Sequence, residues 1–278
     1  MQIYIDSADV DQIQEAISWG IVDGITTNPS LIKAAAAKHV GSGGPAALDR
    51  YIRRMLEVAG EERPVSLEVI GPSKADMLRQ GLHLFETYQP VAENVVIKVP
   101  VNPSVDAADG TRYAGLEVIR ELADDGIPVN VTLIFTPEQA LLAAKAGARY
   151  VSPFAGRIDD QLRRNGGLTY GKLDYFPAAG LPASNGAPAL HDHGIVSGVH
   201  LVEQIVEILQ NFDFECEVLA ASIRNPRQAR ECALVGSDIA TIPFELIRAM
   251  IDHPQTAQGM KTFLDDVVPE YQNLFPRS

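Results

Sequence analysis

Residues 94–101 read NVVIKVPV, a run of β-branched residues that is apolar on both faces. Such a run is typical of a strand in a parallel sheet that helices cover on both sides. The lysine in its middle, Lys98, is costly to bury unless its charge is paired or absent. One interpretation is a packed stem whose ammonium reaches water or a carboxylate. The other is a buried amine that is neutral often enough to attack a carbonyl carbon.

Short apolar strands alternate with helix-period segments along the whole chain of 278 residues. Each predicted strand is followed by at least one predicted helix, which indicates a parallel sheet. Eight strands in one domain, residues 1–278, favour a closed (β/α)8 TIM barrel over an open doubly wound sheet. The strands are predicted near residues 2–6, 24–27, 65–70, 95–101, 128–135, 150–154, 217–222 and 238–242.

Two segments lie outside this alternation. Residues 159–198, after the sixth strand, are rich in Gly, Pro, Ala and Asn, and they predict a loop-rich insertion at one end of the fold. Residues 256–268 predict a terminal amphipathic helix. Its apolar residues either pack on the chain's own barrel or meet another copy of the chain.

The composition narrows the class of partner and the compartment. A formal net charge of −13 argues against nucleic acid and against an anionic membrane as partners. The N-terminal residues lack a basic signal-peptide region, and no apolar run approaches a membrane span. Two cysteines are too few for a disulfide framework, so we expect a cytoplasmic protein.

Polar residues fall at the carboxyl ends of seven of the predicted strands, where the active sites of barrel enzymes lie. A lysine flanked by acids can form a Schiff base with a ketone, and arginines beside a helix N-terminus suit a phosphate. The pattern therefore predicts an aldol-type reaction on a phosphorylated ketose, with no metal site. The residues are Asp6, Thr26, Asn28, Glu68, Lys98, Asn130, Thr132, Ser152, Arg157, Ser222 and Arg224.

Five stretches resemble signature segments of the transaldolase family, in the family's order. They are TTNPSLI at 26–32, VIKVP at 96–100, NVTLIF at 130–135, SPFAGRI at 152–158 and ASIRNP at 221–226. The resemblance runs from residue 2 to about residue 265, and the layout is nearest to the small microbial transaldolases and fructose-6-phosphate aldolases.

The resemblance implies a (β/α)8 barrel that moves a dihydroxyacetone unit between phosphorylated sugars in the pentose phosphate pathway. The donor would be sedoheptulose 7-phosphate or fructose 6-phosphate, and the acceptor glyceraldehyde 3-phosphate or erythrose 4-phosphate. It implies no cofactor, because the lysine itself supplies the electron sink. It also implies a homo-oligomer, such as a pentamer or decamer.

The resemblance assigns a role to each residue of the predicted site. Lys98 would form the Schiff base, and Asp6 would remove and return the proton of the sugar hydroxyl. Glu68 and Thr132 would hold the water that carries protons during imine formation. The binding residues would be Asn28 and Asn130 for the three-carbon hydroxyls, Thr26, Ser152 and Phe154 for the pocket wall, and Arg157, Ser222 and Arg224 for the phosphate.

Three alternatives compete with a transaldolase. A fructose-6-phosphate aldolase releases free dihydroxyacetone, but by resemblance it carries glutamine at the position of Glu68 and tyrosine at that of Phe154. The stretch 26–29 argues against a deoxyribose-phosphate aldolase. A non-catalytic phosphosugar-binding protein would be indicated by the loss of Lys98 or Asp6, and both are present.

Overall fold

Eight parallel strands close into a barrel in the computed structural model, which describes residues 1–41, 43–105, 110–182 and 189–276. Each strand pairs with its sequence neighbours, and the last strand pairs back onto the first. The predicted (β/α)8 barrel is therefore confirmed. The strands are β1 (Gln2–Asp6), β2 (Gly24–Thr26), β3 (Val65–Glu68), β4 (Val95–Pro100), β5 (Val129–Ile134), β6 (Tyr150–Pro153), β7 (Glu217–Ala220) and β8 (Ile239–Ile242).

Helices surround the barrel, and their apolar stripes pack on the outer faces of the strands. Several begin with a side-chain cap, as where Thr136 and Gln139 form a capping box. The helices are α1 (Val10–Ser18), α2 (Pro29–His39), α3 (Gly44–Ala59), α4 (Lys74–Ala92), α5 (Ala114–Asp124), α6 (Pro137–Ala146), α7 (Ala155–Asn165), α8 (Gly198–Asn211), α9 (Pro226–Leu234), α10 (Phe244–Ala249), α11 (Pro254–Asp265) and α12 (Pro269–Gln272).

The inside of the barrel has an apolar layer below a polar layer. Successive inward residues of a strand are two positions apart, so Tyr4 lies below Asp6 and Val96 lies below Lys98. The apolar layer is a separate cluster of buried side chains. Its members are Tyr4, Val96, Tyr150, Leu219, Ala221 and Ile239.

Gly24 on β2 leaves room for the ring of Tyr4, one of the two tyrosines of this layer. A Cβ on Gly24 would be only 2.6 Å from a ring carbon of Tyr4, so the ring occupies the place of a side chain on β2. The Tyr4 and Tyr150 rings meet edge to face, with centroids 6.4 Å apart. The two aromatic rings thus fill the barrel beneath the polar layer.

The expected loop after the sixth strand begins later than the sequence indicated. Residues 159–165 are helical, because α7 continues to Asn165 with Ile158 and Leu162 buried one turn apart. Asp159 and Arg163 are also buried on this helix. The irregular segment therefore starts at residue 166 and leads to α8, and residues 183–188 of the expected insertion lie outside the described residues.

The C-terminal helix also differs from the prediction of residues 256–268. It is α11, Pro254–Asp265, and a short α12 follows from Pro269. The apolar residues of this region are exposed, so they do not pack on the chain's own barrel. They are Met260, Phe263, Leu264 and Val267. The homo-oligomer expected from the sequence stays a prediction.

Among the described helices, none is both long and apolar enough to cross a membrane.

Gly156 lies where α7 begins and touches the chain that leaves β7. A Cβ at this position would overlap the carbonyl oxygen of Ser222 and lie 2.7 Å from Arg224 Nε. We therefore expect Gly156→Ala to lower the free energy of unfolding by about 1–3 kcal/mol, the usual cost of overpacking. Denaturant titration measures the difference.

The matched control is Gly259→Ala on α11, where a Cβ meets nothing within 4 Å. Alanine in that exposed helix should stabilise by roughly 0.5–1 kcal/mol. Equal unfolding free energies for the two variants would contradict the close contact at Gly156.

Candidate active site

A cavity of about 460 Å³ opens at the carboxyl ends of the strands. The barrel brings most of the predicted residues to its wall, although they come from five strands or the segments that follow them. Those on the wall are Asp6, Thr26, Asn28, Lys98, Ser152, Phe154, Arg157, Ser222 and Arg224. Glu68, Asn130 and Thr132 are not among its lining residues.

Lys98 is 5% exposed and is held by two oxygen atoms, one from β3 and one from the residue that follows β2. The β3–β4 register places Glu68 directly beside it, with Glu68 Oε2 3.1 Å from Lys98 Nζ. The ammonium also donates a hydrogen bond to the carbonyl oxygen of Thr27 at 2.9 Å. Glu68 therefore supplies the counter-charge that makes burial of this lysine tolerable.

Asp6 ends β1 and faces the same cavity. Its Oδ1 accepts a hydrogen bond from the Thr26 hydroxyl at 2.9 Å. Burial raises the pKa of Asp6, while the positive charge of Lys98 and the Thr26 hydrogen bond act in the opposite direction. The carboxyl group is thus placed to exchange a proton with a bound molecule.

Thr241 is a site residue that the sequence analysis missed. It lies on β8, the one strand from which no polar residue was selected, and it lines the cavity. Its hydroxyl is hydrogen-bonded to that of Thr26, whose own proton goes to Asp6. Thr241 must therefore be the donor, because a hydroxyl has only one proton. Its position two residues after Ile239, on the inward face, is the signal that could have identified it.

Asn130 is completely buried and binds other side chains. Its Oδ1 accepts a hydrogen bond from the Ser152 hydroxyl at 2.7 Å, and its Nδ2 donates to Ser66 Oγ at 3.1 Å. Asn130 therefore orients Ser152, which does line the cavity. The predicted contact of Asn130 with substrate hydroxyls stays a prediction.

Two other predicted residues have a local environment that bears on their role. Asn28 lines the cavity, but its Oδ1 caps α2 by accepting from the Leu31 N–H at 3.0 Å. Thr132 is 1% exposed, and its hydroxyl has no hydrogen-bond partner among the described residues. A buried hydroxyl of this kind calls for a water or a ligand.

The basic side of the cavity is formed by the turns after β6 and β7. Ser222 has a φ of 62°, a left-handed conformation that is strained for a residue with a side chain. Arg224 Nη2 donates to Asp160 Oδ2 at 2.9 Å, and the Arg157 guanidinium lies 5.1 Å from the centre of the Phe154 ring. These side chains line the same cavity as Asp6 and suit an anionic group.

Asp159 lies behind this basic side and fixes its backbone. It accepts hydrogen bonds from the Gly198 N–H and from Gln228 Nε2, both at 2.7 Å. Gln228 Oε1 in turn accepts from the backbone N–H of Arg224 at 2.8 Å. Burial raises the pKa of Asp159 to about 7, although the hydrogen bond from Gly198 and the positive charge of Arg163 both act to lower it.

One group outside the cavity could offer ligand atoms to a metal. Asp9, Asp11 and His39 place these atoms within 4.8 Å of one another. The Lys38 Nζ atom lies 2.7 Å from Asp9 and 3.6 Å from Asp11, so both carboxylates already form ion pairs with this lysine. None of these residues lines the cavity.

Fold and site together define a (β/α)8 protein with a polar, lysine-containing cavity at the carboxyl end of its barrel. Residues 3–275 match the family model of Transaldolase/Fructose-6-phosphate aldolase. The chain belongs to this family of aldolase- and transaldolase-type enzymes.

Curated relatives match the chain over nearly its full length. A "Probable transaldolase" of Aquifex aeolicus is 37% identical over 272 residues, which cover 97% of this chain and 99% of the relative. Proteins of the same description from Desulfosudis oleivorans and Chlorobium phaeobacteroides are 40% and 39% identical. The first covers 96% of this chain and 97% of the relative, and the second covers 96% of both.

The raised pKa of Asp159 predicts a pH dependence of stability. Between pH 3.8, the ordinary pKa of an aspartate, and about pH 7, the Asp159 carboxyl group is protonated to a greater extent in the folded protein than in the unfolded chain. The contribution of Asp159 to the free energy of unfolding therefore falls as pH rises, by up to about 1.4 kcal/mol per pH unit. Asp159→Asn should lack this decrease in the free energy of unfolding. Denaturant titrations of the variant and the wild type from pH 4 to pH 7 measure the difference.

Asp125→Asn is the control, since it removes the same charge from an exposed position at the end of α5. Its stability should follow the pH profile of the wild type in that range. Parallel profiles for Asp159→Asn and the wild type would show that Asp159 does not titrate as described.

Proposed function

We propose that the protein is a transaldolase that transfers a dihydroxyacetone unit from a ketose phosphate to an aldose phosphate. The donors would be sedoheptulose 7-phosphate or fructose 6-phosphate, and the acceptors glyceraldehyde 3-phosphate or erythrose 4-phosphate. The observation that carries the proposal is the buried Lys98 beside Glu68, at the wall of a cavity that Asp6, Arg157 and Arg224 also line. The relatives described as probable transaldolases support it.

In the first half of this reaction the neutral amine of Lys98 attacks the ketose carbonyl. The Lys98 ammonium must lose a proton to give this amine, and the Glu68 carboxylate, 3.1 Å away, is the base that would accept it. Loss of water from the carbinolamine then gives an iminium ion, which draws electrons from the neighbouring carbon–carbon bond. The unsatisfied hydroxyl of Thr132 suits a water that carries protons in these steps.

Asp6 is the base for the bond cleavage itself. It would take the proton of the sugar hydroxyl as the carbon–carbon bond breaks, the aldose phosphate would leave, and an enamine would stay on Lys98. The acceptor aldehyde would then react with the enamine, and Asp6 would return the proton to the new hydroxyl. A raised pKa suits this alternation, because the carboxyl group must both accept and donate a proton.

The remaining residues would hold the substrate. Ser152, oriented by Asn130, would contact a hydroxyl of the three-carbon unit, and Asn28 would contact another. Arg157, Ser222 and Arg224 would bind the phosphate on the basic side of the cavity. Thr26 would act on Asp6 through its hydrogen bond, and Phe154 would form part of the wall.

We also propose that this reaction takes place in the cytoplasm as part of the pentose phosphate pathway. Both cysteines, Cys216 and Cys232, are buried free thiols, which suits a reducing compartment. The chemistry requires no cofactor, because the iminium ion on the lysine withdraws the electrons.

The Schiff base can be trapped. Borohydride added in the presence of fructose 6-phosphate should reduce the intermediate to a stable three-carbon adduct. Peptide mass spectrometry should locate this adduct on Lys98, and Lys98→Met should give none. An intact mass that does not change, or an adduct confined to other lysines, would exclude the proposed mechanism.

An acceptor separates transfer from simple aldol cleavage. We expect the wild type to consume fructose 6-phosphate at least about tenfold faster when erythrose 4-phosphate is present, because the enamine must be discharged by an aldehyde. Chromatography of the products should show sedoheptulose 7-phosphate and little free dihydroxyacetone.

Glu68→Gln should raise the proportion of free dihydroxyacetone, because it changes the proton transfer beside Lys98. Cleavage at the same rate without an acceptor in the wild type would make the protein a fructose-6-phosphate aldolase instead.

A further inference from the structure

Lys172 belongs to the irregular segment that follows α7, and it lines the same cavity as Arg157 and Arg224. It belongs to the loop-rich insertion predicted for residues 159–198 and was not among the predicted site residues. Its position raises the question of whether the segment contributes to the site.

The backbone on the carboxyl side of Lys172 is held by side chains from the barrel. The Leu173 carbonyl accepts a hydrogen bond from Asn225 Nδ2 at 3.3 Å, and the Asp174 carbonyl accepts from Arg163 Nη2 at 2.7 Å. Asn225 is also the cap of α9, next to Arg224. The segment is thus tied to the two elements that carry the basic side of the cavity.

The turn that contains Lys172 is closed on itself. The Gly171 N–H donates to Asp174 Oδ2 at 2.7 Å, and the Asp174 N–H donates to the Gly171 carbonyl at 3.1 Å. These bonds, one on each side of Lys172, limit the positions that its Cα can take.

Aromatic residues on either side pack against α7 and α9. The Arg163 guanidinium lies 4.9 Å from the centre of the Tyr170 ring and 5.1 Å from that of the buried Phe176. The Tyr175 hydroxyl donates to Glu231 at 2.8 Å, and Arg227 stacks on its ring at 3.7 Å. Tyr170, Tyr175 and Phe176 therefore anchor the segment on both sides of the exposed residues 171–174, and Lys172 in that exposed part lines the cavity.

Some of the positively charged side chains at the cavity are paired with a carboxylate, and others are not. Lys98 is paired with Glu68, and Arg224 is paired with Asp160. Among the described residues that line the cavity, Arg157 and Lys172 are the cations without a carboxylate partner. A phosphate monoester carries nearly two negative charges at neutral pH, so two uncompensated cations match it. In a chain of net charge −13, such local cations are what can hold an anion.

We infer that Lys172 binds the phosphate group of the substrate together with Arg157, so that the segment after α7 supplies a specificity-determining residue. The inference rests on the proposed function for the identity of the substrate. Arg224, already neutralised by Asp160, contributes hydrogen bonds and geometry, whereas Arg157 and Lys172 contribute net charge.

Lys172→Gln tests the inference, with Lys145→Gln as the matched control. Lys145 lies exposed in the last turn of α6 and does not line the cavity, so both variants lose one positive charge. Calorimetric titration with inorganic phosphate should show affinity about tenfold lower for Lys172→Gln, the loss typical of one charge-assisted hydrogen bond. Equal affinity in the two variants would overturn the inference. An arginine at this position, Lys172→Arg, should restore most of the affinity.

Catalysis gives a second readout. Lys172→Gln should raise the KM for fructose 6-phosphate by about the same factor and leave kcat within about twofold, since the residue holds the phosphate and not the reacting carbons. Borohydride trapping of free dihydroxyacetone on Lys98 should be unchanged. Equal losses with phosphorylated and unphosphorylated substrates would overturn the inference. Failure of the wild type to form any adduct would overturn the proposed function, while the phosphate titration would still decide the role of Lys172.

Discussion

The ion pair between Lys98 and Glu68 is the constraint on which the site depends. A lysine 5% exposed at the centre of a barrel needs a counter-charge, and the β3–β4 register provides it from the adjacent strand. Removing one member of such a pair typically costs about 3–5 kcal/mol, because the other charge is left buried and alone. The pair forms only when the parallel sheet is assembled, so fold and chemistry are specified by the same contact. The carbonyl of Thr27, the residue that follows β2, is a second oxygen partner of the lysine.

The fold could be predicted because its signal is local and repeated. Runs such as 94–101 are apolar on both faces, and helix-period segments separate them, which leaves few arrangements other than a barrel of parallel strands. The boundary at residue 159 was wrong because the composition of the later segment dominated the interpretation. Ile158 and Leu162 carry the helical spacing across it, and the buried Asp159 and Arg163 gain partners that only the tertiary structure provides.

The sequence predicted which residues lie at the site better than it predicted which atoms those residues contact. A polar residue at a strand end can face a ligand or another side chain, and this choice depends on the exact height of each strand. Asn130 is not among the lining residues of the cavity and binds Ser152, and the register of β5 against β6 shifts between Val131 and Ile134. Lys172 reaches the cavity from a segment without periodicity, and Thr241 reaches it from a strand in which its neighbours are Ala240 and Ile242. Sequence patterns give no distance between such positions.

The apolar layer beneath the site gives the cavity a blind end. The Tyr4 and Tyr150 rings fill the barrel below Asp6 and Lys98, so the cavity opens at the carboxyl end of the strands and not along the barrel axis. Donor and acceptor would therefore use the same opening in the transfer reaction proposed above. The first aldose would leave through this opening before the second enters, while the three-carbon unit would stay bound to Lys98. The order in which the two aldoses leave and enter would then depend on the aromatic residues that close the barrel interior, as well as on the polar residues that line the cavity.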